Sequence, residues 1–387
     1  MENRFKSAKA QVRTQDLAYN LALIRAQLPE GTALCAVLKA DAYGHGLPGM
    51  LRLLSRRGLV DMAAVGKLSE LLQLHRAASD GSLSPGEAPE RKLDLLLLGN
   101  CEAAELAPVL DLPGFPRERV LWSVYSLRRF REFSALGRAQ GVPLRVHIRV
   151  DGWNTGMGLG YREFLEHEEE LFNTPGVRVC GLYNHLYTSY SQNTAEIEGE
   201  LKRFQQFVHA LQPEHRRQLR VHILNSPLIF HFPQYAFDMA RTGTAMYGLP
   251  CGDGGRLRPI LRVSARVFDV REVDAAAPLS YEQGPHAAAT RRIARMMLGY
   301  WDSPLLLTMK DVRVRIRGRV FRLADEICMD NLCIDVTGAD DIVAGDEAVL
   351  LGEPGVTVEE IMERNGLPHV HSEYLCMTAG RLEKEYL

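Results

Sequence analysis

The run AVLKADAYGHG, residues 36–46, closes an apolar stretch on a lysine and sets a tyrosine four residues later among glycines. A lysine at the end of a buried strand is costly unless it is used. Desolvation lowers the pKa of its ammonium, so the amine can act as a base or form a Schiff base with a carbonyl compound. Taken alone, Lys39 could simply close a surface strand. Other apolar runs end in the same way: Arg149 and Asp151 end LRVHIRVD, His185 lies at the end of VRVCGLYNHL, Ser226 ends LRVHILNS, and Arg241 lies at the end of AFDMARTG. Any one of these could be structural, but several at the same relative place converge on one polar site.

That convergence depends on the elements that carry the residues. Eight short apolar runs, at 33–40, 62–67, 93–99, 120–126, 144–151, 177–186, 219–226 and 236–243, alternate with segments of helical apolar spacing such as 69–78, 127–140 and 198–212. Strand and helix in alternation predict a parallel sheet, and eight repeats predict an N-terminal (β/α)8 TIM-type barrel over residues 1–245. A doubly wound open sheet is the structural alternative. In a barrel, the C-terminal strand ends build the site, and there the unusual side chains collect. After residue 245 the texture changes to alternating runs at 261–273, 309–323, 326–336 and 346–352, with one helical stretch at 357–366. These predict a mostly β C-terminal domain over 246–387. The polar, Gly/Pro-rich stretch 78–92 reads as an exposed loop.

Composition narrows the partner. The 387 residues hold 46 Lys plus Arg against 48 Asp plus Glu, a balance that gives no support to nucleic acid or an anionic membrane and points to a small molecule. No apolar stretch approaches the roughly 20 residues of a membrane span, and the N-terminus lacks a signal-peptide core, so the cytoplasm is the expected compartment. Seven scattered cysteines, with no C-x-x-C pair, suit reduced core thiols and suggest no metal site.

On these residues the chain resembles the bacterial alanine racemases, fold-type III enzymes that use pyridoxal 5'-phosphate (PLP). AVLKADAYGHG is similar to their lysine segment, and GLYNHL, HILNS, FDMARTGTAMYGLP, LSY, LGY and CMDNLCIDV follow in matching order over nearly the whole chain. The resemblance implies a barrel followed by a β domain, assembled as a homodimer with shared sites. It implies that Lys39 holds the cofactor covalently and then serves as one acid/base, while Tyr281 of the second domain reaches the opposite face from the partner subunit. Arg241 would face the pyridine nitrogen, with His185 and His222 linking it to the catalytic tyrosine. Tyr43, Ser226, Gly243 and Thr244 would hold the phosphate, and Tyr247 belongs to the same cofactor-binding segment. Tyr300, Met329 and Asp330 would complete the substrate end from the partner.

The departures fall at that substrate end. Where the family reads Lys-Val-Asp-Thr-Gly-Met-x-Arg-Leu-Gly, this chain reads RVDGWNTGMGLG at 149–160: Arg149 replaces a lysine that is often carbamylated, three residues are inserted around Trp153, and an arginine is missing before Leu159. Arg149 cannot be carbamylated but could itself supply the missing positive charge toward substrate. Gly380 stands where the family has a tyrosine that limits substrate size, which predicts a larger pocket and a substrate of alanine or a bigger or nonstandard amino acid. A fold-type III decarboxylase or a non-catalytic PLP-binding paralogue is the alternative, against which Arg241 and Tyr281 argue.

Overall fold

The structure, a computed structural model, describes residues 8–79, 93–153, 155–252, 254–274, 277, 279, 289–367 and 372–387. Most of the expected 78–92 loop lies outside these residues, as does Tyr281. Chain order begins with a strand, β1 (Ala8–Val12), and then the barrel strands β2 (Ala33–Val37), β3 (Met62–Val65), β4 (Asp94–Leu97), β5 (Val120–Val124), β6 (Leu144–Asp151), a two-residue β7 (Leu159–Gly160), β8 (Val177–Tyr183), β9 (Arg220–His222) and β10 (Met239–Thr242). All eight apolar runs form strands, and these pair in parallel in the order β10-β2-β3-β4-β5-β6-β8-β9. Every residue of β3 and β5 is buried, as expected for strands covered on both faces. The seam between β9 and β10 is closed by Arg241 N–H donating to Leu224 O at 3.0 Å and Val221 N–H donating to the Asp238 carboxylate at 2.8 Å. The barrel interior is filled by Cys35, Met62, Ala64, Leu96, Leu121 and Met239. Burial pushes the Cys35 thiol up to about 12, so it stays protonated and inert.

The observed strands are shorter than the runs that announced them, because the C-terminal ends of the runs turn into the loops that build the site. The run 219–226 gives a strand of three residues, after which Asn225 caps the helix Ser226–His231 by accepting from Leu228 N–H. Ser126 likewise caps the helix Leu127–Ala139 through Arg129 N–H at 3.2 Å.

The second sheet comprises β11 (Leu261–Val273), β12 (Arg291–Met296), β13 (Arg313–Ile316), β14 (Arg319–Arg322), β15 (Leu332–Asp335), β16 (Glu347–Leu351) and β17 (Lys384–Tyr386), with β1 between β11 and β17. Ala8–Val12 therefore sits in this sheet and not in the barrel, a departure from the expected 1–245 unit: it pairs antiparallel with Leu261–Ala265. The single run expected at 309–323 is a hairpin. Arg317 and Gly318 both have positive φ (47° and 80°) and reverse the chain between β13 and β14. The expected helix at 357–366 is Val358–Asn365, opened by a Thr357/Glu360 capping box, and a second helix, Ser372–Thr378, joins it.

Candidate active site

Lys39 follows β2 and opens a turn that runs the wrong way for L-residues. Ala40, Asp41, Ala42 and Tyr43 have φ between 53° and 56°, and Gly44 follows at 80°. Left-handed backbone costs roughly 1–2 kcal/mol per non-glycine residue, so the surroundings must hold it in place. Glu70 does so from the next βα unit, accepting Ala40 N–H at 2.6 Å with one carboxylate oxygen and Gly66 N–H at 2.7 Å with the other. Asp41 accepts Leu47 N–H on its side chain at 2.8 Å and Gly46 N–H on its carbonyl at 2.9 Å. Lys39 itself is exposed to a cavity of about 850 Å³ at the C-terminal mouth of the barrel, with no ion pair to its amine among the described residues. The expectation of a lysine activated by burial is corrected: in the single chain its amine is accessible and unpartnered.

The same cavity is lined by Tyr43, Arg149, His185, Ser226, Arg241, Gly243 and Thr244, so most of the expected residues meet. Arg241, on β10, is buried and anchored by its terminal nitrogens: Nη1 donates to His222 Nδ1 at 2.6 Å and Nη2 to Asn184 O at 2.9 Å. No hydrogen bond from its Nε is found among the described residues, and the residue lines the cavity. Burial pushes the guanidinium down to about 10, which still leaves it cationic at neutral pH. Burial, with the charges of Arg241, Arg149 and Lys39, pushes His185 down to about 3, so its imidazole is neutral. The Arg241 end of the expected relay is present, since Arg241 bonds His222, while its link to Tyr281 lies outside the described residues. His222 is fully buried outside the cavity wall and bonds onward to His147, while His185 stands edge-on to Tyr187 with ring centroids 5.4 Å apart.

At one end of the cavity the polar groups are hydroxyls. Ser226 Oγ accepts from Gly243 N–H at 3.0 Å and Ala245 N–H at 3.2 Å, so its lone pairs are filled and its own proton remains to be donated. The Gly243 amide is thereby already engaged, whereas Thr244 Oγ1 pairs with the Tyr190 hydroxyl at 3.0 Å. A Cβ on Gly243 would stand 2.8 Å from the Tyr43 hydroxyl, so the glycine keeps this end open. Tyr247 is not part of the wall. It is buried under Tyr43, ring centroids 4.8 Å apart, with its hydroxyl donating to Val37 O at 3.0 Å.

Arg149, also in the wall and 7% exposed, has no carboxylate partner among the described residues. Its Nη1 donates to the Tyr125 hydroxyl at 3.3 Å and its Nη2 to the Tyr187 hydroxyl at 2.7 Å, while Nε is buried without an acceptor. A buried cation satisfied only by phenols is an anion site in waiting. Asp151 does not compensate it, being spent on the inserted loop, where it accepts Trp153 N–H at 2.9 Å and Thr155 N–H at 2.6 Å. Tyr125, Tyr187, Tyr190, Asn225 and Met157 also line the wall and were not singled out as site residues; Tyr125 and Asn225, each at the end of an apolar run, carried a placement signal.

Four further expected residues lie outside this cavity. Tyr300, Met329 and Asp330 cluster in the second domain, where Tyr300 N–H donates to Cys328 O at 3.1 Å and Asp330 pairs with Arg381. Gly380 is packed away from the cavity, and a Cβ there would meet the Asp302 carbonyl oxygen at 2.5 Å. The glycine therefore answers a close backbone approach, and its reading as an enlarged substrate pocket is set aside.

A free amine, a cationic edge and hydroxyl donors at the C-terminal mouth of a parallel barrel, with a β domain appended, place the chain among the two-domain barrel enzymes. More narrowly, the chain belongs to the alanine racemase family: "Alanine racemase, N-terminal domain" matches residues 12–250 and "Alanine racemase, C-terminal domain" matches residues 260–386. Among curated relatives, the alanine racemase of Desulforamulus reducens is 27% identical over 98% of each chain, and that of Desulfovibrio desulfuricans is 26% identical over 98% of this chain and 97% of its own. Alanine racemase of Clostridium difficile 630 superposes with a TM-score of 0.87 at 25% identity, covering 100% of this chain and 97% of that one.

Proposed function

We propose that the chain is a PLP-dependent racemase that interconverts the L and D enantiomers of an amino acid by two-base proton transfer at Cα. The observation that carries this reading is the accessible, unpaired amine of Lys39 in one cavity with a guanidinium edge and a hydroxyl cluster. These residues fit PLP: Lys39 would hold its aldehyde carbon, the Nε edge of Arg241 its pyridine nitrogen, and Ser226, Tyr43 and Thr244 its phosphate. When bound, PLP supplies an electron sink for the pair left behind as the Cα proton departs. Lys39 moves that proton on one face of the substrate, and Tyr281 moves it on the other, so the substrate need not turn over. Arg149 takes the substrate carboxylate. A permanent cation at the pyridine nitrogen disfavours protonation there, which restrains side reactions. A decarboxylase would set an acid at that position, but the carboxylate in the cavity wall, Glu70, is occupied by backbone amides.

The working unit is a cytoplasmic homodimer in which Tyr281, Tyr300, Met329 and Asp330 complete the partner's cavity. Its support is twofold: Tyr300, Met329 and Asp330 do not line the cavity of their own chain, and the second domain exposes Trp301 (57%) and Met329 (51%). No helix among the described residues is long and apolar enough to cross a membrane. The division at 245/246 is the boundary we propose between the two main units. Borohydride reduction of the PLP-loaded protein, followed by peptide mapping, tests the attachment: the adduct is expected on Lys39, and an adduct on another lysine overturns the assignment.

A further inference from the structure

We propose that His147 is a positioning residue for Arg241: its Nδ1 lone pair fixes the tautomer of His222 and, through it, the edge of the guanidinium that faces the cavity. The argument runs in one direction only. Arg241 Nη1 lies 2.6 Å from His222 Nδ1, and a guanidinium has donors but no acceptor. His222 Nδ1 must therefore be bare, and its proton sits on Nε2. That Nε2 lies 3.0 Å from His147 Nδ1, so His147 Nδ1 must be bare as well and its own proton must be on Nε2. A proton on His222 Nδ1, or a second one on the ring, would face the Arg241 N–H.

The surroundings are built for this chain. His147 sits at a register shift in the β6/β8 pairing, where Val146 faces Val179 but His147 faces Gly181. Such bulges re-aim a side chain. A Cβ on Gly181 would run into the His147 imidazole, so the glycine makes room for the ring. Tyr183 stacks on His222 with centroids 5.0 Å apart and planes at 4°, its hydroxyl tied to Ser123 at 2.9 Å, and its ring face also receives the Arg241 guanidinium at 5.4 Å. Burial, with the charges of Arg220, Arg145 and Arg241, pushes His147 down to about 3, and burial with Arg241 lowers His222 too. Both rings are neutral, and each has one tautomer that satisfies its neighbour.

Without an acceptor at residue 147, the buried His222 Nε2–H is left unpaired, the ring that anchors Nη1 is no longer held from behind, and the guanidinium of Arg241 loses its register. The consequence for catalysis rests on the racemase reading; the tautomer assignment does not. ¹⁵N-histidine-labelled protein, with resonances assigned through His147→Asn and His222→Asn, should show both rings as neutral Nε2–H forms from pH 8 to 5. A proton on Nδ1 of either ring, or protonation of either in that range, overturns the proposal. In the PLP-loaded enzyme, 2-oxo acid released per racemisation event should rise roughly tenfold in His147→Leu, the size expected for one lost hydrogen bond, with KM unchanged. His147→Asn, whose amide oxygen can take the place of Nδ1, should stay near wild type. Equal behaviour of the two variants would reduce His147 to packing and overturn the positioning role. If the leucine variant does not fold, the tautomers of the wild-type protein still decide.

Discussion

Arg149 is the residue where this chain departs most from its family while staying inside the site. It is buried, charged and satisfied by two phenol hydroxyls alone. An incoming carboxylate would gain charge-assisted hydrogen bonds that its removal would forfeit. Arg149→Met is therefore expected to lower kcat/KM by about 1.5–3 kcal/mol, roughly tenfold to 150-fold, mainly through KM. Steady-state kinetics check this, and an unchanged KM would remove Arg149 from substrate binding. The placement of Arg149 at a strand end was legible from LRVHIRVD, because period-two alternation fixes which residues leave the strand at its end. Its partners were not, since Tyr187 lies in a loop whose path no local pattern dictates. Gly380 shows the opposite failure: it was read as a substrate-size position, but the close neighbour that constrains it is the Asp302 carbonyl.

Among the elements, the turn after Lys39 does the most to position chemistry. Four left-handed residues in a row aim Lys39 into the cavity and bring Tyr43 to the hydroxyl cluster. Ala40 is exposed and its φ is 56°, so Ala40→Gly removes strain of roughly 1–2 kcal/mol and adds roughly 0.5–1 kcal/mol of unfolded-state entropy. The expected net is a gain of about 0.5–1 kcal/mol in urea unfolding. A loss of similar size, the usual cost of glycine in a right-handed helix, would contradict the observed backbone. This turn was invisible in the sequence. Ala, Asp, Ala and Tyr carry no glycine signature for positive φ, and the conformation is imposed by Glu70 thirty residues on. The eight barrel strands, by contrast, were legible as short apolar or alternating runs, each separated from the next by a segment of helical spacing. The hairpin at Arg317-Gly318 was missed because alternation continues through the turn on both sides.

For the whole molecule, buried neutral histidines couple stability to pH. Burial pushes His45 down to about 4 and His147 to about 3, and burial with Arg241 holds His222 well below the usual histidine range. Unfolded histidines take up protons below about pH 6.5, whereas these three stay neutral in the fold until far lower. Their contribution is complete above pH 6.5 and is lost as pH falls toward 4, each at about 1.4 kcal/mol per pH unit, or about 4 kcal/mol per pH unit together. Urea midpoints at pH 7, 6 and 5 should fall accordingly, and a flat profile would mean that the rings titrate normally. The two-unit plan was legible from the change of texture near residue 245, but β1 was not placed by it, because its partner strand lies some 250 residues away and only tertiary pairing reveals it. The central claim is proton exchange at Cα of an amino acid, and one measurement meets it directly. The protein, loaded with PLP, is incubated with single L-amino acids in deuterated buffer, and both Cα deuterium and enantiomer ratio are followed. The account predicts a D-enantiomer carrying deuterium at Cα for at least one substrate, and none with Lys39→Ala. Amine product with release of carbon dioxide, or retention of the L-enantiomer and its Cα proton throughout, would contradict it.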